Sequence, residues 1–238
     1  KASDPTASEA EGTVWYNSTG TALKYAIAGA GAWASGTVIN TARAAGASGG
    51  TQTAAFLAGG AKYPPAPVHL ALMEVWNGST WTEVGNLTTS RQGLGGDGTT
   101  TAAIAAGGRA PPPSSALGVT ELWNGSSWSE VGNLLTARYY DPVFGISTLA
   151  VCAGGASPAT GVVEEWNGTS WAEVNNLGTA RYSSARGGTL TAGIIAGGDP
   201  QTGKTETYDG TSWTEVADLA TARGDLGGAA ASSSSAVA

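Results

Sequence analysis

Histidine, cysteine and charge are all scarce in this sequence, and each shortage closes off a class of function. One histidine, His69, and one cysteine, Cys152, exclude an internal disulfide and any paired-histidine or cysteine–histidine metal centre. Cys152 sits in the apolar run Leu149-Ala150-Val151-Cys152-Ala153, where a buried thiol behaves as a small hydrophobe and says nothing of redox compartment. Charged residues make up 12% of the chain and the net charge is −7. Without a surplus of clustered Lys and Arg, a nucleic-acid groove is not expected. No run approaches 18 consecutive apolar residues and no charged-then-apolar leader is seen, so neither a membrane span nor a signal peptide is expected.

Glycine is abundant, 37 of 238 residues, and 41% of the chain is hydrophobic, enough to bury a core. Long amphipathic helices are not visible. This composition belongs to short strands and tight turns.

The organising feature is a repeat. Trp76-Asn77-Gly78-Ser79-Thr80-Trp81-Thr82-Glu83-Val84-Gly85-Asn86-Leu87 leads to Arg91, and the same string returns over 123–138, 166–181 and 208–223. A worn fifth copy spans 33–43. The second Trp of each copy falls at Trp33, Trp81, Trp128, Trp171 and Trp213, in steps of 48, 47, 43 and 42 residues, a length suited to a four-stranded blade. Between copies an apolar segment ends in Gly-Gly at Gly59-Gly60, Gly107-Gly108, Gly154-Gly155 and Gly197-Gly198. Thr120-Glu121-Leu122-Trp123 alternates at the two-residue period of a strand, and the Asn-Gly that follows signals a hairpin, since both residues tolerate positive φ. The Gly/Ala-rich segments after each Arg suit innermost strands, where bulky side chains would collide.

The order Arg, two strands, Gly-Gly, a Trp-bearing strand, a turn and a second Trp resembles the kelch repeat of β-propellers over nearly the whole chain. In wording it is similar to the Ala/Gly/Thr-rich kelch-like repeats of bacteriophage structural and tail-associated proteins; residues 166–181 and 50–60 carry the likeness best. The resemblance implies an all-β, five-bladed kelch-like propeller over 22–238. A linker and hairpin over 1–21 would precede it. Counting strands, 224–238 would supply the first two strands of one blade and 22–40 its third and fourth. Both termini would then share a blade and close the ring.

Charge also falls in columns. Five of seven arginines, Arg43, Arg91, Arg138, Arg181 and Arg223, share one repeat position. Eight glutamates occupy two more: Glu74, Glu121, Glu164 and Glu206 in one, Glu83, Glu130, Glu173 and Glu215 in the other. A ring of arginines could read an acidic glycan, but duplication of one Arg–Glu pair per blade explains both patterns, so the ring is read as structural. Residues that duplication does not require are the better binding candidates. These are Gln92, Tyr139, Tyr140 and Tyr182, each just after an Arg of the column, and Tyr63 and His69 in the proline-rich loop after Gly60. The loop Arg109-Ala110-Pro111-Pro112-Pro113-Ser114-Ser115 emerges at the same point of the next repeat.

Catalysis has little support. His69 is the one possible base of a triad and no nucleophile motif adjoins it. The chain lacks the paired His and Tyr ligands and cross-linked Cys of galactose oxidase, and the Asp-box of sialidases, so no catalytic residue, metal or cofactor is expected. Five-bladed glycosidases need only axial acids, and Asp97, Asp141 and Asp225 lie near innermost strands, although they share no column. The expectation is a non-enzymatic virion propeller, on a particle or extracellular. It would contact other virion proteins, further copies of itself or a host-surface glycan. A secreted bacterial adhesin or filament subunit, and a glycosidase using those aspartates, are the alternatives.

Overall fold

The structure is a computed structural model that describes residues 14–17, 22–25, 36–63, 67–111, 115–156, 158–230, 232–234 and 236–237. It divides into two compact units, 1–36 and 37–238. The first contains an antiparallel hairpin of Val14–Asn17 with Ala22–Tyr25. The second is a β-propeller arrangement of antiparallel sheets, with no helix among the described residues.

Four complete blades are present. The first is Ala47–Thr51, Ala54–Ala58, Met73–Trp76 and Trp81–Glu83, hydrogen-bonded in that order. The second runs from Gly95–Gly98 to Trp128–Glu130, the third from Val143–Ile146 to Trp171–Glu173, the fourth from Ala185–Thr189 to Trp213–Glu215. A two-stranded ribbon, Ala229–Ala230 with Ala236–Val237, packs beside the fourth blade's innermost strand. Successive innermost strands lie against one another from Ala47–Thr51 through to Ala229–Ala230. There glycine is needed for clearance: a Cβ on Gly96 would lie 2.7 Å from that of Ala47.

The fifth blade is where the structure departs from the repeat count. The ribbon of 229–237 packs beside the fourth blade, and of the segment expected to supply two further strands Ala22–Tyr25 pairs with Val14–Asn17 and 36–40 form no strand. Residues 26–35, where those strands are expected, lie outside the described residues. The repeat is also weakest there. In register with Glu74 and Trp76 the worn copy carries Ala26 and Ala28, and Gly29-Ala30 replaces Asn-Gly. The aromatic anchor, the acid and the turn signal are lost together.

In the four intact copies the turn is an Asx-capped four-residue loop rather than a two-residue hairpin. Asn77 Oδ1 accepts from Ser79 N at 3.0 Å and Thr80 N at 2.9 Å, and Asp209 does the same for Thr211 and Ser212, both at 2.8 Å. Only the following glycine takes positive φ, 93–95° at Gly78, Gly125, Gly168 and Gly210. Side-chain capping by Asn therefore fixes the loop, and positive φ at both residues is not used.

Tryptophans fill the wedges between blades, so the core is a series of interblade layers. Trp123 and Trp128 pack with Phe56 and Met73 of the first blade; Trp166 and Trp171 pack with Ile104 of the second. Two of the second indoles donate backward, Trp128 Nε1 to Met73 Sδ at 3.1 Å and Trp171 Nε1 to Thr120 Oγ1 at 2.9 Å. Val163 occupies the corresponding place in the third blade and its side chain offers no acceptor, and Trp213 Nε1 is buried with no partner among the described residues.

The Arg and Glu columns form one staple per blade. Arg43, Arg91 and Arg138 pair with Glu74, Glu121 and Glu164, and Arg181 meets Glu206 at 2.6 Å, with every side chain at most 3% exposed. Each glutamate also accepts two backbone N–H groups from the chain entering its blade: Glu164 takes Leu135 N at 2.7 Å and Thr136 N at 3.1 Å. Burial alone would raise the Glu74 carboxyl, but hydrogen bonds from Arg43, Asn40 and Thr41 outweigh it and hold the group below its usual range. The Arg column has five members and this Glu column four; Arg223, the odd one out, is exposed and in no ion pair among the described residues.

Candidate functional site

Two backbone columns set the geometry of the candidate site. The residue after each column Arg bridges antiparallel to the residue after each Gly-Gly: Ala44 to Ala61, Gln92 to Arg109, Tyr139 to Ala156 and Tyr182 to Asp199. Arg109 N donates to Gln92 O at 2.8 Å and Gln92 N to Arg109 O at 3.3 Å. Because the main chain makes these contacts, the side chains are free to differ between blades.

They differ most around Arg109. A guanidinium can only donate, so the Gln92 amide oxygen faces it, 2.8 Å from Nε and 2.6 Å from Nη2, while the amide nitrogen donates to the Tyr63 hydroxyl at 2.6 Å. Nη2 also donates to the Tyr140 hydroxyl at 3.2 Å. The guanidinium carbon stands 5.2 Å from the Tyr139 ring centroid and 5.4 Å from that of Tyr140, within cation–π range. Tyr139 meets Tyr140 edge to face at 5.3 Å, and Tyr140 stacks with Tyr182 at 6.4 Å. Burial, ahead of its neighbours' charges, raises the Tyr140 phenol, so it stays a neutral donor and acceptor near pH 7. Arg109 is in no ion pair among the described residues.

His69 lies in the short ribbon formed by Ala61–Lys62 and Val68–His69. Burial first, then the charge of Arg109, pushes its imidazole below the ordinary histidine range, and a backbone hydrogen bond with Arg109 offsets only part of this. Its Nδ1 is buried with no hydrogen-bond partner among the described residues. A neutral, enclosed imidazole with no bonded nucleophile packs beneath the patch.

A second element joins the tyrosines to the axis. Two residues after each column Arg the backbone turns left-handed, at Ala45, Gly93, Tyr140, Ser183 and Asp225, with φ between 51° and 65°. For the four that are not glycine this costs about 1–2 kcal/mol each. The same residues link the blades: Gly93 N donates to Ala45 O at 2.7 Å, Tyr140 N to Gly93 O, Ser183 N to Tyr140 O at 3.0 Å and Leu226 N to Ser183 O at 3.0 Å. All five line a cavity of ≈ 490 Å³, with Tyr63 at its edge.

Arg186 borders both this cavity and another of ≈ 670 Å³ around the innermost strands. It donates from Nε to Val143 O at 2.9 Å and from Nη2 to Gly96 O at 3.2 Å. The three axial aspartates do not converge, for Asp97 lines the larger cavity and Asp141 and Asp225 the smaller. Asp97 ties two innermost strands, accepting from Gly98 N at 2.7 Å and Gly145 N at 3.0 Å; burial raises its carboxyl all the same. Asp141 accepts from the Cys152 thiol at 3.3 Å, its Oδ1 has no hydrogen-bond partner among the described residues, and burial lifts its carboxyl to about 6. Burial also raises the Cys152 thiol, which keeps it protonated and donating.

Five of the six candidates, Tyr63, Gln92, Tyr139, Tyr140 and Tyr182, therefore belong to one patch, and His69 sits under it. Four of the five column arginines, Arg43, Arg91, Arg138 and Arg181, are held inside their blades and present no guanidinium to a ligand. Sequence reasoning missed Arg109 and Arg186. The signal was present, since these are the two arginines of seven that fall outside the column. Among the described residues no group of three His, Cys, Asp or Glu side chains is placed to hold a metal ion. Searched against models of known protein families, the chain matches none, and no curated protein matches it.

Proposed function

We propose that this chain is a non-enzymatic recognition module whose ligand surface is the tyrosine patch around Arg109 and the adjoining axial cavity. The observation that carries this is the contrast between the two sets of polar residues. Four column arginines and the glutamates of the inner column pair with one another inside the blades, whereas the residues that break the repeat gather in one half-exposed place. Flat aromatic faces with hydroxyl and amide groups at their edges suit a saccharide, which offers apolar ring faces and polar rims. Setting, by contrast, rests on the wording of the repeats: their resemblance to bacteriophage tail-associated kelch-like repeats favours a virion appendage, touching host glycan on this face and other virion proteins or further copies elsewhere. A glycan array displaying bacterial surface saccharides tests the reading. Stacking contributes about 0.5–1.5 kcal/mol per ring, so Tyr139→Ala with Tyr182→Ala lowers affinity for any captured saccharide by about tenfold while leaving the melting temperature near that of the parent. Unchanged capture by the double variant overturns the assignment of this face.

The same reading takes the propeller as five-bladed and closed, with the amino-terminal segment completing the blade begun by 229–237. Three observations support it. All five innermost strands border one cavity; Ile39, Leu57 and Trp81 line that cavity on the side of the first blade; and Thr37, Asn40 and Thr41 already bond to that blade as their counterparts do elsewhere. Deleting residues 1–35 then exposes apolar surface and unpaired strand edges. The expected result is a fall in melting temperature of about 10 °C or more with increased aggregation, read by calorimetry and light scattering. A shortened chain as stable and monodisperse as the parent rules closure out.

A further inference from the structure

We infer that the saccharide read by this patch is acidic, and that its carboxylate is taken by the guanidinium of Arg109; this rests on the reading of the patch as a saccharide site. The argument is one of accounting for every arginine. Four are spent in buried pairs with glutamate. Arg186 is spent on the carbonyls of Val143 and Gly96. Arg223 is exposed and nothing orients its side chain among the described residues. Arg186 is likewise in no ion pair, but the charges of Asp97 and Asp141 act on it, so among the described residues Arg109 is the guanidinium of the patch that is fixed in position and in no ion pair.

Its fixation comes entirely from neutral groups. The Gln92 oxygen holds Nε and Nη2, the Tyr140 hydroxyl shares Nη2, and two phenol rings flank the plane. Nη1 has no partner among the described residues. Neutral ligands orient a cation without cancelling it, so the charge is kept for whatever arrives, and its rotamer is settled before binding. The four arginines paired inside the blades show what happens when a glutamate is within reach: it is captured. The one histidine beside Arg109 does not compete, since burial and Arg109 itself hold it neutral. In a chain of net charge −7, where general attraction for anions is absent, this is a local device for one anionic group. The rings of Tyr139 and Tyr182, on either side of Tyr140, give the pyranose a face to lie on while its carboxylate reaches Nη1.

Titration calorimetry and saturation-transfer NMR of the whole chain with glucuronate and N-acetylneuraminate, against glucose and N-acetylglucosamine, test this. We expect the acidic sugars to bind at least tenfold more tightly than the neutral ones. Arg109→Gln should remove that preference, and Arg109→Lys should restore part of it, because an ammonium keeps the charge but not the fork. Near-ultraviolet circular dichroism, which reads the packing of Tyr139, Tyr140 and Tyr182, shows whether the patch of Arg109→Gln is still folded. Equal binding of both sugar classes, or a preference that survives Arg109→Gln, overturns the inference and leaves the saccharide reading standing. Failure of all four sugars to bind removes both. Binding of a short oligoglutamate in place of the uronates assigns the guanidinium to an acidic peptide and overturns the choice of saccharide.

Discussion

Glu164→Ala lowers the stability of the propeller by about 3–5 kcal/mol, the cost of leaving a buried charge without its partner. Arg138 and Glu164 are 1% and 0% exposed, so water cannot replace what is removed. The loss reaches further than one ion pair. Glu164 also holds Leu135 N and Thr136 N at the entrance to the third blade, and Arg138 holds Gly154 O at 3.0 Å and Val162 O at 2.7 Å. Urea unfolding of Glu164→Ala, Arg138→Met and the double variant tests this as a thermodynamic cycle. In many proteins an apolar replacement of a buried pair is neutral or better. Here the double variant should stay well below the parent, because Leu135 N, Thr136 N and Gly154 O still lack partners at about 1–3 kcal/mol each where they remain dry, while Val162 O keeps its bond from Gly154 N. A double variant as stable as the parent would show that the staple is dispensable.

Asp141→Asn stabilises the chain at pH 7.5 by up to about 3 kcal/mol and changes nothing at pH 4. The sign follows from burial. The folded carboxyl titrates at about 6 against an ordinary value of 3.8, so the native state binds its proton more tightly than the unfolded chain does. This group's contribution is therefore favourable at low pH, is lost as the pH rises from about 4 to about 6, and stays lost above that. Burial outweighs the charge of Arg138, the Cys152 thiol and the other groups that favour the ionised form, and Oδ1 has no hydrogen-bond partner among the described residues. An amide keeps the thiol's acceptor and has no charge to bury. Chemical unfolding of parent and variant across that pH range isolates the difference, since carboxyls shifted the other way, such as Glu74, contribute equally to both. A variant less stable than the parent at pH 7.5 would mean that Arg138 and Arg186 hold the ionised carboxylate well enough to outweigh its burial.

Much of the architecture could be read from the chain because the repeat states the same local instruction several times. Trp-Asn-Gly marks the outer hairpin, Gly-Gly marks where a strand leaves its blade, and the Arg and Glu columns mark the staple; in four copies all three agree. The fifth copy is the least legible for the complementary reason. Spacing anchored on Trp33 and Arg43 counts a blade where the sequence carries Ala26 and Ala28 in place of the acid and the aromatic, and four complete blades stand among the described residues. The hairpin turn was located correctly but by an incomplete mechanism, since Asn77 closes the loop with its side chain. The patch was half legible. Tyr139, Tyr140, Tyr182 and Gln92 stood out as departures from a column, but Arg109 was hidden by being read as the start of a proline-rich loop. Its column is seen only when Gly107-Gly108 is aligned with the other Gly-Gly pairs, which places Arg109 opposite Ala61, Ala156 and Asp199.

The left-handed residues around the axial mouth hold the blades together through main-chain atoms alone, and the five side chains they display are those of alanine, glycine, tyrosine, serine and aspartate. Support and display are thus carried by different atoms of the same residue. A change of side chain that tolerates the left-handed backbone alters what lines the mouth and leaves these joints in place, whereas at Gly93 an added Cβ would meet the Tyr140 ring at 3.0 Å.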